Sequence, residues 1–212
     1  STFSTIFQQA WQYSAVKQSK SEDSETCYSE IFTALSTFLL CLASVVTLCT
    51  DVLCRIVLQK EFYEGRFILP ILLVAAVYSC YAAYFGTFYG VIKNNTMVMV
   101  STVVAAVCNV VLNLLLIPRM GALGAAYATL ISYGIIAVIR IVDTRKYVHH
   151  HVCLWNILAQ NVLLIAEAVV MTRPSPYRYS TAGILTAAIL ALNGKIIVVI
   201  WKRLLGKFRE YR

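Results

Sequence analysis

The sequence predicts an all-α, polytopic membrane protein with six transmembrane helices preceded by the end of a seventh. Three observations predict it. The 212 residues are 59% hydrophobic and only 13% charged, and the mean hydropathy is +0.72, outside the usual soluble range. The charges cluster in short connectors rather than recurring at helical spacing. The stretch Cys108–Lys146 joins two apolar runs at an Ile-Pro-Arg-Met-Gly corner, and each run supplies the ~20 apolar residues that a bilayer crossing needs. Pro118 has no backbone N–H, and Gly121 and Gly124 tolerate unusual dihedrals, so the chain can reverse at this corner outside the hydrocarbon.

In chain order, Phe3, Ile6, Phe7, Ala10 and Trp11 fall on one helical face, with Gln8, Gln9 and Gln12 largely off it. The chain starts at Ser1, and these residues read as the last turns of a truncated transmembrane helix in a longer protein. With the polar stretch Lys17–Glu30 they form the region 1–30, a helix end and a cytosolic loop. Hydrophobic runs with few or no charges then place spans near 31–50, 67–92, 97–117 and 121–142. These four make up the region 31–142. Two additional spans, near 154–172 and 181–201, belong to the region 143–201; they contain Glu167 and Lys195 respectively. The region 202–212 is a basic cytoplasmic tail. Between the first two spans, Leu53, Ile56 and Val57 face one way and Arg55 and Lys60 another. That pattern fits a short helix on the outer interface or a solvated loop. The connectors are mostly short, so neighbouring spans run antiparallel.

Lysine and arginine set the orientation. One side carries Lys17, Lys20, Lys93, Arg140, Arg145, Lys146 and the tail residues Lys202, Arg203, Lys207, Arg209 and Arg212; the other carries Arg55, Lys60, Arg66, Arg119, Arg173 and Arg178. The richer side is the cytoplasmic one, which places the C-terminus inside. Membrane lipids are the natural partner of a basic tail, so the net charge of +8 implies no nucleic acid.

No catalytic constellation is present: HExxH, GxSxG, P-loop and paired-carboxylate motifs are all missing. The expectation is a protein that is not an enzyme and that holds no metal. The seven cysteines lack zinc spacing, and Cys41, Cys49, Cys80 and Cys108 lie in apolar runs, where cysteine acts as a small hydrophobe. The run His149–His151 fits weak metal binding less well than a solvated or interfacial basic loop after a span.

The informative side chains concern packing and passage. Gly121, Gly124, Ala125 and Ala128 give small-xxx-small spacing, which lets helix backbones approach closely in lipid. Asn109 and Asn113 lie on one face of the third span, where buried amides seek bonds to other helices. Among ionisable groups, Lys195 either snorkels to the cytoplasmic interface or faces a cavity. Arg140 lies close to the inner interface, as an anchor or a contact for an anionic headgroup or pyrophosphate. Tyr78, Tyr81, Phe85 and Phe88 line one helical face with Tyr84 at its border. Such a face serves core packing or stacks on sugar C–H groups, which makes Tyr81 and Tyr84 candidate substrate contacts.

These residues resemble a family. Asn109–Tyr133, NVVLNLLLIPRMGALGAAYATLISY, is similar to the polysaccharide and O-antigen flippases of the multidrug/oligosaccharidyl-lipid/polysaccharide exporter superfamily. The resemblance lies in Asn109 and Asn113, then Leu116, Ile117, Pro118, Arg119 and Gly121, and then Gly124, Ala125 and Ala126. Ile6–Val16 and Glu61–Gly65, ahead of Pro70, also look like segments of that family. The resemblance covers about Phe3 to Lys146, and beyond it only the number and hydrophobicity of the spans agree. It implies the C-terminal lobe of a two-lobed transporter of 12–14 helices, with Phe3–Trp11 as the tail of an earlier helix. Such transporters rock about a central cavity and move a polyprenyl-pyrophosphate-linked oligosaccharide outward for exopolysaccharide or O-antigen assembly. The implied location is the bacterial inner membrane, and the implied partners are the lipid-linked oligosaccharide and other polysaccharide-assembly proteins. A groove between the last two spans, with Lys195 near its cytoplasmic mouth, is implied for the lipid tail. The first lobe lies outside this chain, so these residues alone do not close the cavity.

Other readings compete. A drug or metabolite antiporter of the same superfamily needs no cofactor beyond an H⁺ or Na⁺ gradient, but it wants a buried carboxylate in its cavity, and only Glu167, in a peripheral span, qualifies. A non-transporting scaffold of a glycan-assembly complex would bind through the small-residue faces. A membrane glycosyltransferase or polymerase would need a larger outer loop than the ~16 residues holding Asp51, Glu61 and Glu64.

Overall fold

The computed structural model describes residues 24–57, 60–91, 95–146, 154–173 and 175–210, with side chains described for 28–57, 63–90, 95–146, 156–173 and 175–194. The expectations for Phe3–Trp11, Ile6–Val16, Lys17, Lys20, Lys93 and His149–His151 therefore lie outside the described residues, as do those for the side chains of Glu61, Lys195 and the basic tail.

Among the described residues the protein is entirely helical. Its elements are α1 (Ser24–Leu48), α2 (Thr50–Val57), a 3₁₀ segment (Lys60–Phe67), α3 (Leu69–Val91), α4 (Asn95–Met120), α5 (Ala122–Thr144), α6 (Leu154–Met171) and α7 (Arg178–Glu210). Among the described residues, four stretches are long and apolar enough to cross a membrane: Tyr28–Leu48, Leu69–Gly90, Asn95–Met120 and Ala122–Thr144. The 18 residues of α6 span about 27 Å at 1.5 Å per residue, just under a hydrocarbon core of about 30 Å.

α3 lies at the centre and packs against α5, α1, α6 and α4. Its mostly aliphatic first half buries Ile71, Val74 and Val77, and its aromatic second half buries Tyr81, Tyr84, Phe85 and Phe88. Pro70 falls in its first turn, where a missing N–H costs no intrahelical bond. Phe32 of α1 meets Tyr81 and Tyr84 at 5.3 Å and Phe85 at 4.8 Å, while Tyr28 meets Phe88 edge-on at 5.0 Å. In lipid the hydrophobic effect does not drive helices together, so ring contacts of this kind, each worth about 0.5–1.5 kcal/mol, bear much of the α1–α3 association.

α4 packs on α5 and only lightly on α3. It turns Met99 (63% exposed), Val107 (59%) and Leu114 (72%) outward, an all-apolar face suited to acyl chains. α2 is the amphipathic helix that the 51–66 pattern predicts, not a loop. Thr50, Asp51 and Cys54 point inward, whereas Ile56 and Val57 are about three-quarters exposed, at 77% and 74%. A short helix with its apolar side turned away from the protein suits a membrane interface.

The corner between α4 and α5 is tighter than the sequence implies. Pro118 sits inside α4; in the last turn its missing N–H forfeits one bond and the helix continues to Met120. The reversal is made at Gly121, at φ +58°, a conformation that L side chains rarely adopt. The Gly121 N–H closes α4 on the Ile117 carbonyl at 2.8 Å, and its own carbonyl accepts the Gly124 N–H at 3.0 Å to open α5.

Candidate functional site

The hairpin is held by backbone contact. A Cβ on Gly124 would lie 2.5 Å from the Leu116 carbonyl oxygen and 2.7 Å from its carbon, so α4 and α5 touch main chain to main chain. Gly124 and Ala128, four apart, are buried, while Ala125 is half-buried and Gly121 is exposed at the corner. Among the described residues, Asn109 and Asn113 make no side-chain hydrogen bond to another helix. Asn113 Nδ2 donates to Asn109 Oδ1 at 2.9 Å within α4, and Asn113 Oδ1 is buried without a hydrogen-bond partner among the described residues.

Arg140 is a buried junction of three helices rather than an interface anchor. Nη1 donates to the Ala82 carbonyl of α3 at 2.7 Å. Nε donates to Ser101 Oγ at 3.1 Å and Nη2 to Thr102 Oγ1 at 3.1 Å, with the Val98 carbonyl at 3.5 Å, all on α4. Every acceptor is neutral, and among the described residues no carboxylate lies within ion-pair distance of the guanidinium. One turn further along α5, Asp143 accepts from Tyr89 Oη at 2.9 Å and pairs with Lys146 at 3.2 Å.

A second polar locus lies where α1, α6 and α7 meet, and it forms two layers. In the first, Thr37 donates to Asn193 Oδ1 at 3.1 Å, and Asn193 Nδ2 donates to Gln160 Oε1 at 2.8 Å. In the second, Glu167 is fully buried and accepts from Ser44 Oγ at 2.5 Å and Thr186 Oγ1 at 3.0 Å. The layers are seven residues apart on every helix: Thr37 to Ser44, Gln160 to Glu167, and Asn193 back to Thr186. Seven residues are nearly two turns, about 10.5 Å, so each helix presents the same face twice. The reversed order on α7 makes it antiparallel to α1 and α6. Glu167 is thus not peripheral, as its place in the fifth span suggests, but enclosed by three helices.

Tyr81 and Tyr84, the candidate sugar contacts, are both 2% exposed in the α1–α3 core. The Tyr81 hydroxyl pairs with Ser36 Oγ at 2.7 Å, and Tyr84 donates to the Tyr28 carbonyl at 2.8 Å. Neither ring is open to a ligand in this conformation. The backbone of Lys195 belongs to α7, two residues beyond Asn193.

At the end of the bundle that carries α2, Arg178 donates to Asp51 Oδ2 at 2.5 Å, and the Tyr179 hydroxyl donates to the same oxygen. This pins the start of α7 to α2. Beside it, Arg66 stacks over Tyr63 at 4.2 Å and Phe67 at 4.6 Å, and Arg55 Nε donates to Tyr63 Oη at 3.2 Å. The Arg55 bond first, and Arg66 after it, hold the Tyr63 phenol below the ordinary tyrosine range. An apolar hollow of about 420 Å³ lies between α2, the 3₁₀ segment and α3, lined by Leu53, Cys54, Val57, Gly65, Ile68, Leu69 and Leu72.

The sequence reasoning missed Thr37, Ser44, Gln160, Thr186 and Asn193. Their signal was the seven-residue offset of polar positions within three separate apolar runs. Cys41, Cys49, Cys54, Cys80 and Cys108 are all unbridged. Comparison of the chain with protein-family models, with curated proteins and with solved structures returned no match.

Proposed function

We propose that this chain is part of a flippase that moves a polyprenyl-pyrophosphate-linked oligosaccharide across a bacterial inner membrane by alternating access. In this reading α6 and α7 are the fifth and sixth spans, and the C-terminus is cytoplasmic. The observation that carries it is Arg140. Burying a cation among apolar helices is expensive, and here it is held by carbonyls and hydroxyls, with its charge unbalanced by any carboxylate among the described residues. That leaves a positive locus suited to a pyrophosphate carried through hydrocarbon. In the alternating-access cycle, exchange of these neutral acceptors for a pyrophosphate would give the guanidinium the bidentate contact it makes best. The sequence pattern Asn109–Tyr133 supports the same reading.

The experiment is depletion of the full-length gene product in its host. The reading expects surface polysaccharide to fall while lipid-linked precursor accumulates on the cytoplasmic leaflet. Undiminished surface polysaccharide would count against it.

One observation favours a second reading. Glu167, enclosed by α1, α6 and α7, is the buried carboxylate that a cation-coupled drug or metabolite antiporter of the same superfamily requires. Under that reading depletion leaves polysaccharide unchanged and alters efflux of a small solute.

A further inference from the structure

We propose that Glu167, with Ser44 and Thr186, is a proton-binding site that is reached from the Asp51 end of the bundle. The inference deepens the transporter reading by naming its driving ion, but proton binding is measured without any transported substrate.

Three features of the geometry carry it. First, Glu167 is 0% exposed, and among the described residues no lysine or arginine pairs with it. An unpaired carboxylate between apolar helices is costly, and a bound proton removes the charge. Second, its partners are both hydroxyls. A hydroxyl donates or accepts by turning about its C–O bond. Ser44 and Thr186 therefore satisfy the carboxylate by donating to both oxygens, as observed at 2.5 and 3.0 Å. When a proton adds to Oε1, an O–H bond forms there, the acid donates to Thr186 Oγ1, and the threonine hydroxyl turns to another acceptor. A guanidinium or backbone N–H partner favours the charged form and cannot accept from the protonated one; two hydroxyls serve both.

Third, a buried polar stripe leads to the site. Ser44, Thr47, Thr50 and Asp51 follow one another along the inner side of α1 and α2, at 0%, 0%, 0% and 7% exposure. Thr47 Oγ1 has no partner among the described residues, which leaves a hydroxyl ready for exchange between Glu167 and the Asp51–Arg178 pair. On the far side, the Thr37–Asn193–Gln160 layer lies two turns away, and Asn161 Oδ1 beside it is also unpartnered.

Several of the other titratable groups on the elements around Glu167 have partners of their own. On α1, Cys41 is within hydrogen-bonding reach of Asn193. On α3, Tyr81 pairs with Ser36 and Tyr78 meets Tyr81 edge-on at 6.0 Å. At the start of α7, Arg178 and Tyr179 are engaged with Asp51. The arginine among these, Arg178, is committed to Asp51.

The test is infrared difference spectroscopy of the full-length protein in lipid nanodiscs, titrated from about pH 5 to pH 10, alongside E167Q. Glutamine copies the neutral acid in shape, so the fold is retained. The expected result is a protonated-carboxyl stretch that vanishes reversibly as pH rises and is missing from E167Q. A carboxyl band that persists unchanged over the whole range, or one that E167Q leaves intact, would overturn the site. Loss of the band on adding Na⁺ at fixed pH would also overturn it, in favour of a sodium site. A titrating band without lipid-linked oligosaccharide transport would keep the proton site and remove the flippase reading. Transport indifferent to a pH gradient, with no titrating band, would do the reverse.

Discussion

Gly124 offers the sharpest test of the packing. Its α-carbon faces the Leu116 peptide so closely that an alanine Cβ would sit 2.5 Å from the carbonyl oxygen. An ordinary contact there is about 3.4 Å, so Gly124→Ala must open the hairpin locally by roughly 0.9 Å, the difference between the two, against main chain that has no rotamer to yield. The neighbouring turn cannot absorb this, because Gly121 is already at φ +58°. Overpacking of this kind costs about 1–3 kcal/mol, and Gly124→Leu costs more. The assay is equilibrium unfolding of the full-length protein in mixed micelles. Gly134→Ala serves as the control, since a Cβ there meets nothing within 4 Å. Gly124→Ala is expected to lose about 2 kcal/mol, with Gly134→Ala unchanged or slightly stabilised. Equal stability of the two variants would refute the claim that α4 and α5 meet backbone to backbone.

Other outcomes follow from the polar contacts. Arg140→Ala removes four hydrogen bonds between helices; at about 0.6 kcal/mol each in membrane proteins, thermal unfolding should report a loss of about 2.5 kcal/mol, only partly restored by Arg140→Lys. In a double-mutant cycle on Asp51→Ala and Arg178→Ala, the pair is expected to couple by about 1–3 kcal/mol, because both side chains are largely buried, at 10% and 12% exposure; independent effects would remove the pin between α2 and α7. Tyr63 should form phenolate at lower pH than an ordinary tyrosine, because Arg55 and Arg66 stabilise the anion. The ultraviolet difference between wild type and Tyr63→Phe would show this.

The helices were legible because lipid-length apolar runs leave few alternatives. The 67–92 and 121–142 runs became Leu69–Val91 and Ala122–Thr144. The amphipathic 51–66 pattern yielded α2, since Ile56 and Val57 recur with Val52 and Leu53 on one side. Pro118 misled, because the rule that proline ends helices assumes that a bond is lost mid-helix, and at the last turn little is lost. Asn109 and Asn113 misled because two amides four residues apart satisfy one another within a helix as readily as they reach across to a neighbour. The Glu167 layer was invisible for a different reason. Its members come from residues 37–44, 160–167 and 186–193, and no local pattern says that those three faces converge. Arg140 was readable as a charge near the inner end of its span but not as a junction, since Ala82, Ser101 and Thr102 join it only through the packing of α3 and α4 on α5.

The proposal that this chain serves translocation is tested most directly by reconstituting the full-length product of its gene into liposomes with a polyprenyl-pyrophosphate-linked oligosaccharide. A glycosidase that cannot cross the membrane then reads how much of the sugar is exposed. The account predicts that protein-containing vesicles bring the protected pool of sugar to the enzyme, faster under a pH gradient, and that Arg140→Ala slows this. Vesicles whose protected pool stays intact, with folded protein present, would contradict it.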